Sequence, residues 1–578
     1  MRSLRLLLLQ LCIVLVFLVF AGRLAYIQLA RGTELRRMSE QNFRRWVRSP
    51  APRGVILDRK GRVLATNEPA MTAWLISGEV PRESWAILIS RLVAMGFFPD
   101  QQTADDTLAE ARRYPSYLPL RLQSRLSMRM ITHVEEELSS LPGVYLRQEP
   151  VRSYPGNAVA AHVIGYLREI DAQELETRRP MGYRPGDGIG KAGLERAFET
   201  QLRGIGGRDE LEINAKGRVL RTLTTTPPQP GLPLTLTLDL DIQHAAEVAL
   251  AGRTGAVVVL DPHTGEILAM ATSPTYNLNS MCGRRSPETQ RWLTATHAEV
   301  NRATRGRYAP GSVFKIVTAA AALEKGVVPD YFHCSGEYHG IRCWLHTGHG
   351  TLNLTEAIAQ SCNVSFMKLA ENVGIEDLVH MARRFGLGHH SLLSTVLPET
   401  AGEVPDPEWA EKSYHRSWQL GDTLQVGIGQ SWLEVSPLQA ARIAAAIANG
   451  GYLVQPHLVN MIGTAVQSAP SAATIGLQHS TITRIRTGLR AVVGEGTAKK
   501  MDPSLHIAGK TGTAQNPAGL DHAWFAGYAP TEAPKVAIAV LVEHGGHGGA
   551  TAAPIAESVI RVALNGPPPP VSLFSSGR

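Results

Sequence analysis

The sequence predicts an α/β (α+β) protein: an antiparallel sheet flanked by helices, preceded by a long N-terminal part and one membrane-crossing helix. Three observations carry this. Leu6–Gly22 is apolar apart from Gln10 and is bounded by Arg2, Arg5 and Arg23, the short end of the roughly 17–25 residues that span a bilayer. Val257–Leu260 and Ile267–Ala271, around the turn Asp261–Gly265, read as a β-hairpin, and Ala523–Tyr528 and Val536–Val542 read as strands pairing beside Ile507–Gln515. Between these strand groups lie the Ala-rich helical stretches Ile316–Glu324 and Pro437–Asn449.

Size and charge bound the rest. A chain of 578 residues is too long for one ordinary core, so two or more domains are expected. The net charge of +7 comes from 58 basic and 51 acidic side chains. That excess is too diffuse to indicate nucleic acid as a partner. Five cysteines (Cys12, Cys282, Cys334, Cys343 and Cys362) are too few for a disulfide scaffold, yet three of them cluster.

In chain order, residues 1–30 read as a short charged end and a membrane anchor, with arginines on both flanks leaving its direction open. Leu24–Ile27 extends the apolar run past Arg23, whose side chain can snorkel. A cleaved signal peptide is the competing reading, but the apolar core is long for one and Ala21–Gly22–Arg23 is a poor cleavage site. Residues 31–231 read as a second domain. It opens with a polar, basic stretch over 31–50, expected to be a membrane-proximal helix. Arg53–Ala65 then reads as strand, tight turn, strand. An insertion at about 70–150 holds two amphipathic helices, Trp85–Met95 and Leu126–Leu141. Tyr154–Pro155–Gly156, His162–Tyr166 and Gly190–Glu195 follow as turn and strand, with His162 read as a packed histidine. Thr224–Gly231 reads as the linker. Residues 232–565 form the third domain: a strand at Leu234–Leu240, a helix at Asp241–Ala251, the elements above, and a closing helix at Pro554–Leu564. Residues 566–578, with four prolines in a row, read as a disordered tail.

Three short motifs carry chemistry. Ser312-x-x-Lys315 follows the break Pro310–Gly311, which places Ser312 on the first turn of the Ala-rich helix. There, unpaired N–H groups and the helix dipole favour a developing anion. Lys315 lies one turn on, along the same face, so a neutral lysine could take the serine proton. Such a lysine needs a lowered pKa, from burial and from a second cation, for which Lys510 is the candidate. Alone this pairing is no more than a capped helix beside a solvated lysine. Ser361–Cys362–Asn363 has the form S-x-N, and Lys510–Thr511–Gly512–Thr513 has the form K-T-G-T on a strand-like run.

These motifs, in this order, with the Arg53–Gly61, Tyr154–Gly165 and Gly190–Glu195 elements, resemble a class B penicillin-binding protein over nearly the whole chain. Gly421–Gln430 and Gly348–His349–Gly350 are most similar to its elongation-specific branch, the division-specific branch being the runner-up. The resemblance implies a penicillin-binding/β-lactamase-like transpeptidase domain on a non-catalytic pedestal, with the bulk of the chain periplasmic and one helix in the inner membrane. It implies a peptidoglycan D,D-transpeptidase, a target of β-lactams, acting on the D-Ala-D-Ala end of stem peptides. In that reading Ser312 is the nucleophile, Lys315 the base, and Ser361 a proton relay. Asn363 binds the substrate amide. Lys510, Thr511 and Thr513 receive the terminal carboxylate, Gly512 leaves the strand edge open, and the N–H groups of Ser312 and Thr513 form the oxyanion hole. A SEDS-family glycosyltransferase and a rod-shape scaffolding protein are the implied partners. A β-lactamase would need a carboxylate to activate water, which the sequence does not identify. A pseudoenzyme or sensor would share the fold.

A second cluster stands beside the S-x-N motif. Cys334, Cys343, His349 and Cys362 fall within 29 residues (362 − 334 + 1). Thiolate and imidazole ligands in a set of four suit structural, tetrahedral zinc. The competing reading for this compartment is a Cys334–Cys343 disulfide with Cys362 buried and free. His333, His339 and His346 are alternative ligands, read as solvated loop residues. Cys362 is expected on a helix, pointing away from Ser361 and Asn363.

Overall fold

The computed structural model describes residues 2–35, 44–98, 100–111, 119–213, 219–283 and 285–566. The predicted tail therefore lies almost wholly outside the described residues. The chain divides into two compact units.

The first unit comprises residues up to Arg53 together with Arg203–Gly231. Its N-terminal helix runs Arg2–Ala25 and continues as a wider turn at Tyr26–Ala30. Among the described residues, Leu6–Ala30 is the single stretch long and apolar enough to cross a membrane. The rest is a three-stranded antiparallel sheet in the order Arg44–Ser49, Gly207–Ile213, Val219–Thr226. The membrane-proximal helix expected over 31–50 is corrected here. Gly32–Leu35 is helical, residues 36–43 lie outside the described residues, and Arg44–Ser49 is a strand. Trp46 and Val47 favour extended backbone, and a paired neighbour decides the outcome over charge pattern. The expected linker also starts later. Thr224–Thr226 are β-branched and complete a strand, so the connection begins at Pro227.

The second unit holds the remainder. Its N-terminal part is organised by one long strand, Val63–Ile76. This strand pairs with Val144–Ser153 over ten residues and with Pro119–Gln123 near its far end. Helices Trp85–Ala94 and Met128–Glu137 close a small separate core of Leu75, Leu88, Leu92, Phe98, Leu126, Val134 and Leu141. The second of these is shorter than the hydrophobic pattern suggests. Ser127 caps its first turn and a 3-10 turn replaces its last. His162 is packed as expected: its Nε2 lies 2.6 Å from the Ala298 carbonyl, and burial brings its pKa down to about 4.

The predicted hairpin is present, with Ile56–Leu57 pairing to the start of the long strand. Its turn carries Asp58, which is fully buried. Asp58 accepts the N–H groups of Lys60, Arg62 and Leu240 and the Arg62 guanidinium. Arg62 also reaches Asp239 and Asp241. A buried carboxylate with this many donors is satisfied rather than stranded. Strand Leu234–Leu236 runs parallel to Ile56–Leu57 and antiparallel to Val459–Ile462, so the hairpin shares a sheet with the later chain.

The main core is a five-stranded antiparallel sheet: β1 (Gly255–Leu260), β2 (Ile267–Ser273), β3 (Ala508–Ala514), β4 (His522–Ala529) and β5 (Val536–Val542), in the order β2-β1-β5-β4-β3. Every residue of β5 is buried, so both faces are covered. Helix α1 (Leu240–Leu250) packs on β1 and β2. The Ala-rich α2 (Lys315–Lys325) ends at Gly326 in the left-handed conformation. Two helices, α3 (Leu354–Ala359) and α4 (Asn363–Val373), flank the S-x-N motif. Helix α5 (Leu420–Gly427) packs on α4, α6 (Pro437–Ala448) lies on β1, β4 and β5, and α7 (His479–Gly494) lies along β3. The last, α8 (Gly548–Asn565), packs on β3, β4, β5 and α1. It starts six residues before Pro554, which the sequence reading had placed at its beginning. Ala550, Ala552 and Ala553 are strong helix formers and carry the helix upstream of the proline.

Candidate active site

The K-T-G-T strand β3 is the free edge of the five-stranded sheet, and the nucleophile's turn packs against it. Ser312 sits on a 3-10 turn, Gly311–Val313, just ahead of α2. Two glycines make this junction possible. Gly311 has φ +53° and donates its N–H to the Gly429 carbonyl at 2.8 Å, and a Cβ there would stand 2.6 Å from Thr513 O. Gly429, φ +78°, approaches so closely that its own Cβ would be 1.9 Å from Gly311 O. No side chain fits such a gap.

Lys315, the first residue of α2, is fully buried. Its Nζ donates to Asn363 Oδ1 at 2.7 Å, Ser361 O at 2.8 Å and Ser361 Oγ at 3.3 Å. It also stands 5.3 Å from the ring centre of Phe366. The first and second motifs are therefore one hydrogen-bonded unit. Burial disfavours the ammonium and brings the Lys315 pKa down to about 8; the nearby sulfurs of Cys362 and Cys343 oppose it. Lys510 is also buried, its Nζ 3.1 Å from Thr511 O. Its pKa is pushed well below the ordinary value by burial first and by Lys315 second. Burial, rather than the second cation, thus does most to lower Lys315, and the repulsion between the two amines is felt at Lys510.

The S-x-N motif straddles the start of a helix, with Ser361 before it, Cys362 at its cap and Asn363 as the first residue of α4. Ser361 has φ +55°, in the left-handed region, at the break between α3 and α4. Cys362 is the cap of α4, its sulfur accepting the Ser365 N–H at 3.4 Å. The break turns Ser361 and Asn363 toward Lys315 while Cys362 stays in the interior. A non-glycine residue held here costs about 1–3 kcal/mol, which the surrounding contacts must offset.

Residues alternate on β3, so Lys510 and Gly512 share one face and Thr511 and Thr513 the other. A Cβ at Gly512 would meet Trp524 Cβ at 2.8 Å and Pro310 O at 3.0 Å. The glycine is therefore required where strand and nucleophile turn pack together, which corrects the expectation that it opens the strand's edge. Two partners escaped the sequence reading. Thr497 Oγ1 lies 2.6 Å from Thr511 Oγ1. Gln430 Nε2 donates to Thr513 O at 3.1 Å, and its Oε1 accepts the Gln515 N–H at 3.3 Å. The glycines at 494 and 496 were the available signal for the first; Gln430 closes the Gly421–Gln430 segment, which gave no sign of its contact with β3.

The second cluster assembles as a unit. The ligand atoms of Cys334, Cys343, His349 and Cys362 all lie within 4.8 Å of one another. His349 Nδ1 is 3.6 Å from Cys334 Sγ and 3.5 Å from Cys343 Sγ. A tetrahedral ion with sulfur at ~2.3 Å and nitrogen at ~2.0 Å would place them about 3.5 Å apart. Cys343 and Cys362 share a hydrogen bond that favours ionisation of one sulfur of the pair. All three cysteines are buried and none forms a disulfide. His333, His339 and His346 are outside the set.

The arrangement of a half-buried serine on a tight turn, a buried amine and a strand at the sheet's edge suits acyl transfer. Residues 255–561 match the penicillin binding protein transpeptidase domain, and residues 48–236 match the penicillin-binding protein dimerisation domain. The chain is 34% identical to the peptidoglycan D,D-transpeptidase MrdA of Acinetobacter baumannii, over 93% of this chain and 84% of that protein. It is 32% identical to MrdA of Escherichia coli K12, over 92% and 89%. Among solved structures it is similar to the PBP2 in a complex with MreC from Helicobacter pylori, at 29% identity and a TM-score of 0.78, covering 90% of this chain and 99% of that one. It is also similar to a chain in a peptidoglycan synthase complex described as coordinating polymerization and crosslinking, at 31% identity and a TM-score of 0.71, covering 98% and 100%.

Proposed function

The chain belongs to the penicillin-binding transpeptidase family, and from that premise we propose that it is the peptidoglycan D,D-transpeptidase of cell elongation, crosslinking stem peptides through a serine acyl-enzyme. The observation that carries the chemistry is Lys315. It is a buried amine with a pKa near 8, hydrogen-bonded to both Ser361 and Asn363 and one turn from Ser312.

In this reading the D-Ala-D-Ala end lies along the free edge of β3 as an added strand. Ser312 Oγ attacks the penultimate D-Ala carbonyl as Lys315 Nζ takes its proton. The N–H groups of Ser312 and Thr513 face the oxyanion. The C–N bond breaks, and D-Ala leaves with a proton passed from Lys315 through Ser361. Asn363 holds the substrate amide. Thr511 and Thr513 bind the terminal carboxylate, with Thr497 orienting the Thr511 hydroxyl and Lys510 packed beneath the strand. An amine of a second stem then attacks the ester, forming the crosslink and freeing Ser312.

The cysteine–histidine set is read as a structural zinc site. It is supported by the donor types and by sulfur–nitrogen spacings that fit one tetrahedron. Cys334, Cys343, His349 and Cys362 would hold the ion, and zinc would brace the S-x-N break without touching substrate. The N-terminal helix is read as an uncleaved anchor with the catalytic part on the periplasmic side. Residues 31–231 are read as the pedestal and 232–565 as the transpeptidase domain, a division supported by the two matched domains. The resemblance to chains found with MreC and within a synthase complex supports a rod-shape scaffold protein and a glycosyltransferase as partners.

Intact mass after incubation with a β-lactam tests the chemistry. A stoichiometric adduct is expected on wild type and none on Ser312→Ala. Absence of an adduct on wild type would overturn the reading in favour of a pseudoenzyme, and rapid decay of the adduct would favour a β-lactamase.

A further inference from the structure

Trp344 follows the cluster residue Cys343 directly and is 54% exposed. Exposed tryptophans are ordinarily free to move; this one is fixed from two sides. Its indole N–H donates to Gln360 O at 3.0 Å, the carbonyl just before Ser361. Its ring meets His349 edge-on, with centroids 5.2 Å apart. The His349 Nε2 is buried and makes no hydrogen bond among the described residues, and the indole packs against the imidazole. An aromatic side chain that is half in solvent, already ordered, and tied to a catalytic motif has the character of a recognition residue. Gln360 beside it is exposed as well, and Asn363 is partly so.

We propose that Trp344 is a binding residue for the acceptor stem, its indole face receiving the alkyl-ammonium side chain that attacks the acyl-enzyme. This deepens the transpeptidase reading and rests on it. The donor's contacts in that reading, Thr511, Thr513 and the strand edge, all belong to β3. The recorded partners of Trp344 belong instead to the S-x-N wall. An aliphatic chain ending in a cation is what an indole face attracts, both by burial and by its quadrupole. The amine must also lose a proton before or as it attacks. Trp344 is hydrogen-bonded to the carbonyl that precedes Ser361, and Ser361 is in turn hydrogen-bonded to Lys315, a pair able to accept a proton. The ammonium first gives one proton to water; the amine nitrogen then bonds to the acyl carbon, the ester bond to Ser312 Oγ breaks, and the amine's second proton passes through Lys315 to Ser312 Oγ.

The test separates the two halves of the reaction in the full chain. Acylation is measured with benzylpenicillin. Partition of the acyl-enzyme from a D-Ala-D-Ala stem donor, between water and amine, is measured with Nα-acetyl-lysine as acceptor. In Trp344→Ala, acylation should fall less than twofold, while the amine concentration for half-maximal aminolysis rises about fourfold, the factor for ~0.8 kcal/mol of cation–π contact at an exposed ring. Trp344→Phe, which keeps a ring and loses the N–H, should recover most of that rise. An unchanged amine requirement in Trp344→Ala would overturn the proposal. So would a parallel fall in acylation and aminolysis in both variants, which would make Trp344 a brace for Ser361. No acylation of wild type would instead overturn the transpeptidase reading itself.

Discussion

The two walls of the catalytic cleft are held by different physics. On one side, β3 and the nucleophile turn meet through glycine contacts and a sheet whose neighbours are apolar and buried. On the other, Ser361 and Asn363 sit on a strained break between two helices, with Cys362 joining them to a cluster of sulfur and imidazole. The first wall depends on shape alone. The second depends on the protonation and oxidation state of its sulfurs and imidazole. Lys315 touches the second wall and stands one turn from the first, so it is where the two dependences meet.

The comparison can be broken most severely at the shape-held wall. Gly429→Ala would put a Cβ 1.9 Å from Gly311 O. The nucleophile turn must then move by the order of 1 Å, and β-lactam acylation should fall at least ~100-fold with far-UV circular dichroism unchanged. A drop of only a few-fold would mean the turn adapts and the glycine contact is not what fixes Ser312. At the other wall, removing bound metal with a strong chelator should slow acylation by about 10–100-fold, the range for lost support around a site. Re-addition of zinc should restore it. Acylation indifferent to chelation, with zinc shown by mass to have left, would leave the cluster without a part in positioning Ser361. The smallest effect concerns Lys315. Its pKa is lowered by burial to about 8, so the neutral base is the minor form below that pH and the major form above it. The acylation rate should rise roughly tenfold from pH 7 to pH 9 and then level. A profile flat across that range would place the working base elsewhere.

Much of this was readable in the sequence because the periods are strong. The hairpin at 255–273, the Ala-rich helices and the strands after Lys510 appear where hydrophobic patterning puts them. The site residues were readable because three short motifs constrain one another. The misreadings share a cause, which is that local pattern cannot see a tertiary partner. Arg44–Ser49 is basic and looks helical until Gly207–Ile213 pairs with it. Ser361 looks like part of a helix until its left-handed φ is known, and Gly512 looks like an opening until Trp524 and Pro310 are found against it. Gln430 and Thr497 are distant from the strand they touch by 83 and 14 residues, and no window of sequence contains both ends of the first contact.

The hairpin at Ile56–Val63 has a consequence for how the chain can be divided. Leu234–Leu236 lies between it and Val459–Ile462, and the Asp58–Arg62 turn grips the start of α1 through Leu240, Asp239 and Asp241. The boundary between pedestal and catalytic part is therefore a seam stitched in both directions. A chain begun at residue 232 would strip one side of that strand and leave Asp239 and Asp241 without their cations, so the catalytic part is not a module to be lifted out. Through the same seam, a push on the hairpin is carried to α1 and to β1 and β2 behind it as one stiff lever, with no slack hinge between.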